Sequence, residues 1–181
     1  TVLRGSGSFS VFIDQQLLNK WAFYEEMIWT PETPNLFDVT FRLLKDQTAT
    51  DVVTSYFGMR KVSVENGLFM LNNKPYYQKL LLDQGYWEES LLTAPTDEAF
   101  VTDLRLSKEM GFNGVRKHQK IEDPRFLYYA DKLGFLVWGE IAASYVYSEQ
   151  AVQRITSEWM EEISRDYNHP CIVVWTPLNE S

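Results

Sequence analysis

A single cysteine in 181 residues excludes a disulfide framework and a thiolate metal site. Cys171 sits in an apolar run and reads as a small core residue. Histidine is almost as scarce: His118 and His169 are too few for a histidine-based metal centre. Positive charge is in deficit, with 17 Lys and Arg against 25 Asp and Glu, a formal net charge of −8. Phosphate binding needs a basic surface, and no basic stripe runs along this chain, so no nucleic-acid partner is expected. No apolar run approaches the length of a membrane span, so no membrane partner is expected either. Nothing calls for a cofactor, and a cation requirement is left open. The chain opens with Thr1 and carries no signal peptide, which leaves cytoplasmic, periplasmic and secreted locations all open.

What is present is an apolar content of 45% with 15% aromatic residues, the composition of a folded domain or two small ones. Phe9, Val11 and Ile13 alternate, as do Val39, Phe41 and Leu43, the period of half-buried strands. The prolines of Trp29-Thr30-Pro31-Glu32-Thr33-Pro34 interrupt that pattern with a loop. Residues 1–60 therefore read as antiparallel β-structure. A two-sheet immunoglobulin-like sandwich needs about 100 residues, so this is expected to be a partial one. Between Val62 and Tyr77 a hairpin is expected, with Asn72-Asn73 suited to the positive φ of a turn.

The pattern then changes to strand-like runs alternating with amphipathic helices, the signature of a parallel sheet. Strands are predicted at Gln78–Asp83, Gly114–His118, Phe135–Glu140 and Cys171–Trp175. Thr96, Asp123 and Ser148 are placed to cap three helices, with Pro124 at a first helical position and Gly111 and Gly134 past the ends. The third helix carries Val152, Ile155, Trp159 and Ile163 on one face. Four strands and three helices are half of a (β/α)₈ barrel, which takes about 250 residues when closed. A small α/β domain with an open four-stranded sheet fits the same pattern. The expected organisation is thus multidomain β plus α/β: a partial immunoglobulin-like β-sandwich over 1–60, then the first half of a TIM (β/α)₈ barrel over 61–181.

Ligands bind at the C-terminal ends of parallel strands. Those ends read Asp83-Gln84-Gly85-Tyr86-Trp87, Arg116-Lys117-His118-Gln119-Lys120, Trp138-Gly139-Glu140 and Trp175-Thr176-Pro177-Leu178-Asn179-Glu180. Hydrogen-bonding groups mixed with tryptophan suit a sugar, and glycosidic cleavage needs a carboxylic acid to protonate the leaving oxygen. Each residue also has a plain reading: Asp83 as a turn residue, Arg116 as an ion-pair partner, Trp138 and Trp175 as core, and Asn179-Glu180 as an ordinary polar pair.

In sequence order these segments resemble glycoside hydrolase family 2, the β-galactosidases, β-glucuronidases and β-mannosidases. Trp29-Thr30-Pro31-Glu32-Thr33-Pro34-Asn35-Leu36-Phe37 resembles the family's W-S-P-E-x-P-x-L-Y, and Phe57-Gly58-Met59-Arg60 its F-G-x-R. Leu71-Asn72-Asn73-Lys74-Pro75 is similar to L-N-G-K-P, and Met110 to Arg116 to M-x-x-N-x-x-R. Tyr129 to Val137 resembles C-D-x-x-G-x-x-V. Asn168-His169-Pro170-Cys171 through Trp175, followed by Asn179-Glu180-Ser181, resembles the diagnostic N-H-P-S-x-x-x-W-S-x-G-N-E-S.

The resemblance implies that Glu180 is the general acid/base of a retaining β-glycosidase, that Asn179 bonds the sugar 2-hydroxyl, and that Arg116 helps hold the nucleophile carboxylate. Asp83, His118 and Trp175 complete the expected substrate-binding set. There are departures. Arg116-Lys117-His118-Gln119-Lys120-Ile121 stands where many members have R-x-S-H-Y-P, which shifts His118 by one position. Asp83-Gln84-Gly85-Tyr86-Trp87 replaces a common G-x-N-x-H, and Leu178 replaces a glycine before Asn179. No particular sugar is therefore carried over. Glu140 falls in an acidic slot of the family motif, where it could brace the site.

In the family the nucleophile is a glutamate on a late barrel strand. The expectation is an internal piece of such an enzyme, without the nucleophile, inactive alone, and prone to self-association through open strand edges. A non-catalytic carbohydrate-binding or interaction module is the competing reading.

Overall fold

A computed structural model of the chain describes residues 24–180. The alternating stretch around Phe9, Val11 and Ile13 lies outside the described residues. After a single helical turn, Tyr24–Met27, strands β1 (Phe37–Lys45) and β2 (Thr48–Phe57) form an antiparallel hairpin running from Phe37↔Phe57 to Lys45↔Thr48. Its two-residue turn holds Asp46 and Gln47 at φ 48° and 64°, the left-handed pair that matches the strand twist.

A second, three-stranded antiparallel sheet joins β3 (Val62–Glu65), β4 (Leu68–Leu71) and β5 (Lys74–Pro75). The expected Asn72-Asn73 turn connects the last two at φ 53° and 64°. Asn72 is buried as well. Its Oδ1 accepts from the Lys61 N–H at 2.8 Å and its Nδ2 donates to the Trp29 carbonyl at 3.0 Å. It therefore ties this turn to the upstream loop.

Strands β6 (Leu80–Asp83), β7 (Gly114–Lys117), β8 (Leu136–Glu140) and β9 (Ile172–Thr176) then form a parallel sheet in sequence order. They begin one or two residues later than predicted at three of the four starts. Helices α1 (Asp97–Glu109), α2 (Pro124–Leu133) and α3 (Glu149–Asp166) connect them. The caps fall where the sequence puts them. Thr96 accepts from the Ala99 N–H, Asp123 from Arg125, and Ser148 from Ala151, each satisfying a first-turn donor. Gly134 ends α2 at φ 70°, where a Cβ would also sit 2.3 Å from the Pro31 carbonyl oxygen.

The core lies between sheet and helices: Phe100, Leu104, Val115, Phe126, Ala130, Leu136, Val137, Cys171 and Ile172. Each large apolar side chain buried there contributes about 1.5–3 kcal/mol. Trp29 joins it, fully buried, with its Nε1 donating to the Asp131 carbonyl at 2.8 Å. The loop before the hairpin is thus part of the α/β core.

One expected face differs. Val152 is exposed, and Ile155, Trp159 and Ile163 are only half-buried, while Glu162 and Asp166 are the buried residues of α3. The upper half of that apolar stripe looks onto a groove, with Trp159 packed edge-on to Trp175 at 5.6 Å. No helix among the described residues is long and apolar enough to cross a membrane.

Candidate active site

Alternation along β7, β8 and β9 sorts their side chains into two faces. Lys117 lies 4.0 Å from the Phe126 ring of α2 and Trp175 meets Trp159 of α3, so both point towards the helices. Arg116 and Glu140 lie on the other face, away from the helices.

Glu140 is completely buried. An isolated carboxylate there would cost several kcal/mol. Its Oε2 accepts from Arg116 Nε at 2.5 Å, and its Oε1 accepts from the Gln119 backbone N–H at 3.0 Å. His118 Nδ1 is 2.9 Å from the same Oε1 but off the hydrogen-bond axis. The far end of Arg116 continues outward, its Nη2 donating to Asn179 Oδ1 at 2.7 Å. An arginine only donates, so the amide oxygen of Asn179 must be the atom turned towards it. Glu180 is the next residue, exposed and at φ 52°, a conformation that costs a non-glycine residue about 1 kcal/mol or more.

Of the residues singled out from sequence, the structure brings Arg116 and His118 to Glu140 and Asn179 to Arg116, with Glu180 following. Asp83 and Trp175 are not in this group. Asp83 is paired in register with Lys117 and shares its helix-side face, where it binds the Lys117 ammonium and accepts from the Gly85 N–H at 2.7 Å. Burial is the largest single influence and raises the Asp83 carboxyl, but the Lys117 charge, the hydrogen bonds from Lys117 and the Gly85 N–H, and the Lys120 charge together outweigh it and hold the group below its ordinary value. Lys117 also pairs with buried Glu122 at 2.7 Å. Trp175 pairs in register with Gly139, and its ring fills the space that glycine leaves.

Gln119 was not legible as a site residue. It sits at φ 53°, and besides bonding Glu140 it uses its side chain to hold the Ala143 N–H and the Tyr145 hydroxyl. Tyr145, Val146, Tyr147, Trp159, Leu178 and Glu180 are among the residues lining a groove of about 620 Å³ beside this network.

A second polar cluster lies at the opposite end of the sheet. Buried Asp131 accepts from the Cys171 N–H at 2.8 Å, from the Tyr56 hydroxyl at 2.8 Å and from His169 Nδ1 at 2.5 Å. The donor atoms of Asp131, His169 and Cys171 fall within 4.8 Å of one another. They fit a metal poorly. The carboxylate is already occupied, and burial, followed by the charge of Asp131, pushes the Cys171 thiol well above its ordinary value, away from the thiolate a metal needs. The cluster instead binds the hairpin, through Tyr56, to α2 and the start of β9.

Comparison with known proteins places this geometry. The model for glycosyl hydrolases family 2 matches residues 8–60, and that for the TIM barrel domain of the same family matches residues 62–181. A β-galactosidase of Vibrio vulnificus is 31% identical over 165 residues, and a putative β-glucuronidase of Formosa agariphila 33% over 167. These alignments cover 84% and 85% of the chain and 16% of each relative. The chain thus spans 16% of the length of these curated relatives. Among solved structures, the β-glucuronidase of Bifidobacterium dentium complexed with coumarin-3-O-glucuronide superposes with a TM-score of 0.78 at 26% identity, over 84% of this chain and 26% of that one. The family 2 β-galacturonidase of Eisenbergiella tayi bound to galacturonate gives 0.74 at 29%, over 82% and 27%. The parallel sheet is therefore the first half of a TIM barrel preceded by an immunoglobulin-like β region, and the chain belongs to glycosyl hydrolases family 2.

Proposed function

We propose that this chain carries the acid/base half of a retaining β-glycosidase centre, with residues 1–60 as a partial immunoglobulin-like domain and 61–181 as the N-terminal half of the catalytic barrel. The observation that carries the reading is the Arg116–Asn179 bond of 2.7 Å at the C-terminal rim of the sheet, which fixes the residue before Glu180. Glu180 protonates the leaving oxygen as the glycosidic bond breaks, then takes a proton from the water that releases the glycosyl-enzyme. Asn179 bonds the sugar 2-hydroxyl, His118 lines the same wall, and Arg116 faces the nucleophile. That nucleophile is a glutamate supplied from outside these residues, about 5–5.5 Å from Glu180 as retention requires. The substrate is a β-glycoside, and the net charge of −8 supports no polyanionic partner.

With one carboxyl missing, the 181-residue chain alone is inactive, since losing a catalytic member costs roughly 10⁴-fold or more. Among the described residues its outer strands β6 and β9 are paired on one side only, and Leu82 is 60% exposed, so it self-associates at high concentration. Light scattering tests this: a strictly monomeric species at millimolar concentration would contradict it.

The catalytic reading is tested by expressing the full open reading frame and assaying nitrophenyl β-glucuronide, β-galactoside and β-mannoside. One of these is turned over, and Glu180→Gln removes most of that activity, more severely as the leaving group becomes poorer. A Glu180→Gln enzyme with native turnover refutes the assignment.

A further inference from the structure

Arg116 has two polar ends. Nη2 reaches Asn179, and Nε is held by Glu140. A free arginine side chain has many rotamers of similar energy, so a guanidinium aims at one amide only if its stem is pinned. Glu140 pins it. The carboxylate is fully buried and directed by the β8 backbone two residues beyond Trp138, which pairs with Arg116 in register. Its two oxygens are shared between different elements, one on the Arg116 side chain and one on the backbone of Gln119 just past β7. Gln119 in turn holds Ala143 and Tyr145 of the following loop. One buried carboxylate thus sets both the aim of Arg116 and the path of the turn that closes the site.

From this we infer that Glu140 is a positioning residue, acting through Arg116 and Asn179 to fix the orientation of Glu180. The inference rests on the acid/base reading of Glu180. Glutamine is the informative replacement because both neighbours of the carboxylate are donors. A glutamine has one acceptor oxygen and one donor NH₂; with its oxygen kept on the Gln119 N–H, a backbone donor that cannot turn away, its NH₂ meets Arg116 donor against donor.

The test is Glu140→Gln in the full-length enzyme, with ¹⁵N NMR of the native and substituted 181-residue chains recorded below the concentration at which the chain self-associates. The expected result is a fall in kcat of roughly 100-fold with KM little changed, the signature of a misplaced reacting group rather than lost binding. The slowly exchanging Arg116 Nε–H resonance should disappear in the variant. Native kcat in Glu140→Gln overturns the inference, and so does a fall in kcat with that resonance intact. Should Glu140→Gln not fold, Glu140→Asp decides. The charge is kept but withdrawn by one methylene, so kcat should fall, and a native kcat overturns the inference. Glu180→Gln in the same background separates the two claims. If Glu180→Gln is inactive while Glu140→Gln is native, positioning alone fails. If Glu180→Gln is active, the acid/base reading fails and takes the positioning inference with it.

Discussion

Replacing Asp131 by alanine should destabilise the chain by about 3–5 kcal/mol, the cost of breaking a buried charged network from one side. The carboxylate is completely buried and takes three hydrogen bonds, one from Tyr56 in the hairpin and two from His169 and Cys171 just before β9. Alanine leaves the Cys171 N–H without its acceptor in a buried site, which alone costs about 1–3 kcal/mol. The Tyr56 hydroxyl and the His169 ring lose the same partner but keep some access to water, so each adds about 1 kcal/mol or less. For a chain of this size each kcal/mol lowers Tm by roughly 2–4 °C, so calorimetry should find a drop of about 10 °C. Asparagine should cost far less, about 1–2 kcal/mol. Its oxygen can still accept from Cys171, and its NH₂ can donate to the Tyr56 hydroxyl or to His169 in the other tautomer. Urea melts followed by circular dichroism give the same comparison. If alanine costs less than about 1 kcal/mol, or if asparagine and alanine are equal, the cluster does not bind hairpin to barrel as described.

Glu162 gives a pH prediction. Burial, reinforced by the charge of Asp166, pushes its carboxyl from 4.5 to about 7, and its Oε2 has no hydrogen-bond partner among the described residues. The folded state therefore holds a proton that the unfolded state releases, and stability from this group falls as pH rises from about 4.5 to about 7. Glu162→Gln removes the penalty. It should stabilise the chain at pH 8 by about 1–2 kcal/mol, after allowing for water at the helix surface, and by nothing at pH 4. A gain that does not depend on pH would exclude a titrating Glu162 as its source.

Much of the fold could be read locally. Thr96, Asp123 and Ser148 cap the helices they precede, and Asn72-Asn73 turns the hairpin, because these residues act within a few positions of themselves. The burial of Trp29 was not legible, since its partner Asp131 is 102 residues away. The open stripe on α3 was hidden for a related reason: periodicity identifies an apolar face, not what covers it. Within the site, strand parity carried more information than residue type. Arg116 and Lys117 are adjacent cations, yet one faces Asn179 and the other Phe126. Asp83 and Trp175 share the helix-side faces of Lys117 and Gly139, which the register fixes. An acidic slot at Glu140 was visible, but its grip on Arg116 and Gln119 depends on the side-by-side placement of two strands.

The acid/base role of Glu180 is tested most directly by chemical rescue of Glu180→Ala in the full-length enzyme. A dinitrophenyl β-glycoside, whose leaving group needs no proton, should still form the glycosyl-enzyme, which then stalls for want of a base to activate water. Azide needs no base, so it should restore turnover and give the β-glycosyl azide. No acceleration by azide, or an azide product of α configuration, would contradict the assignment.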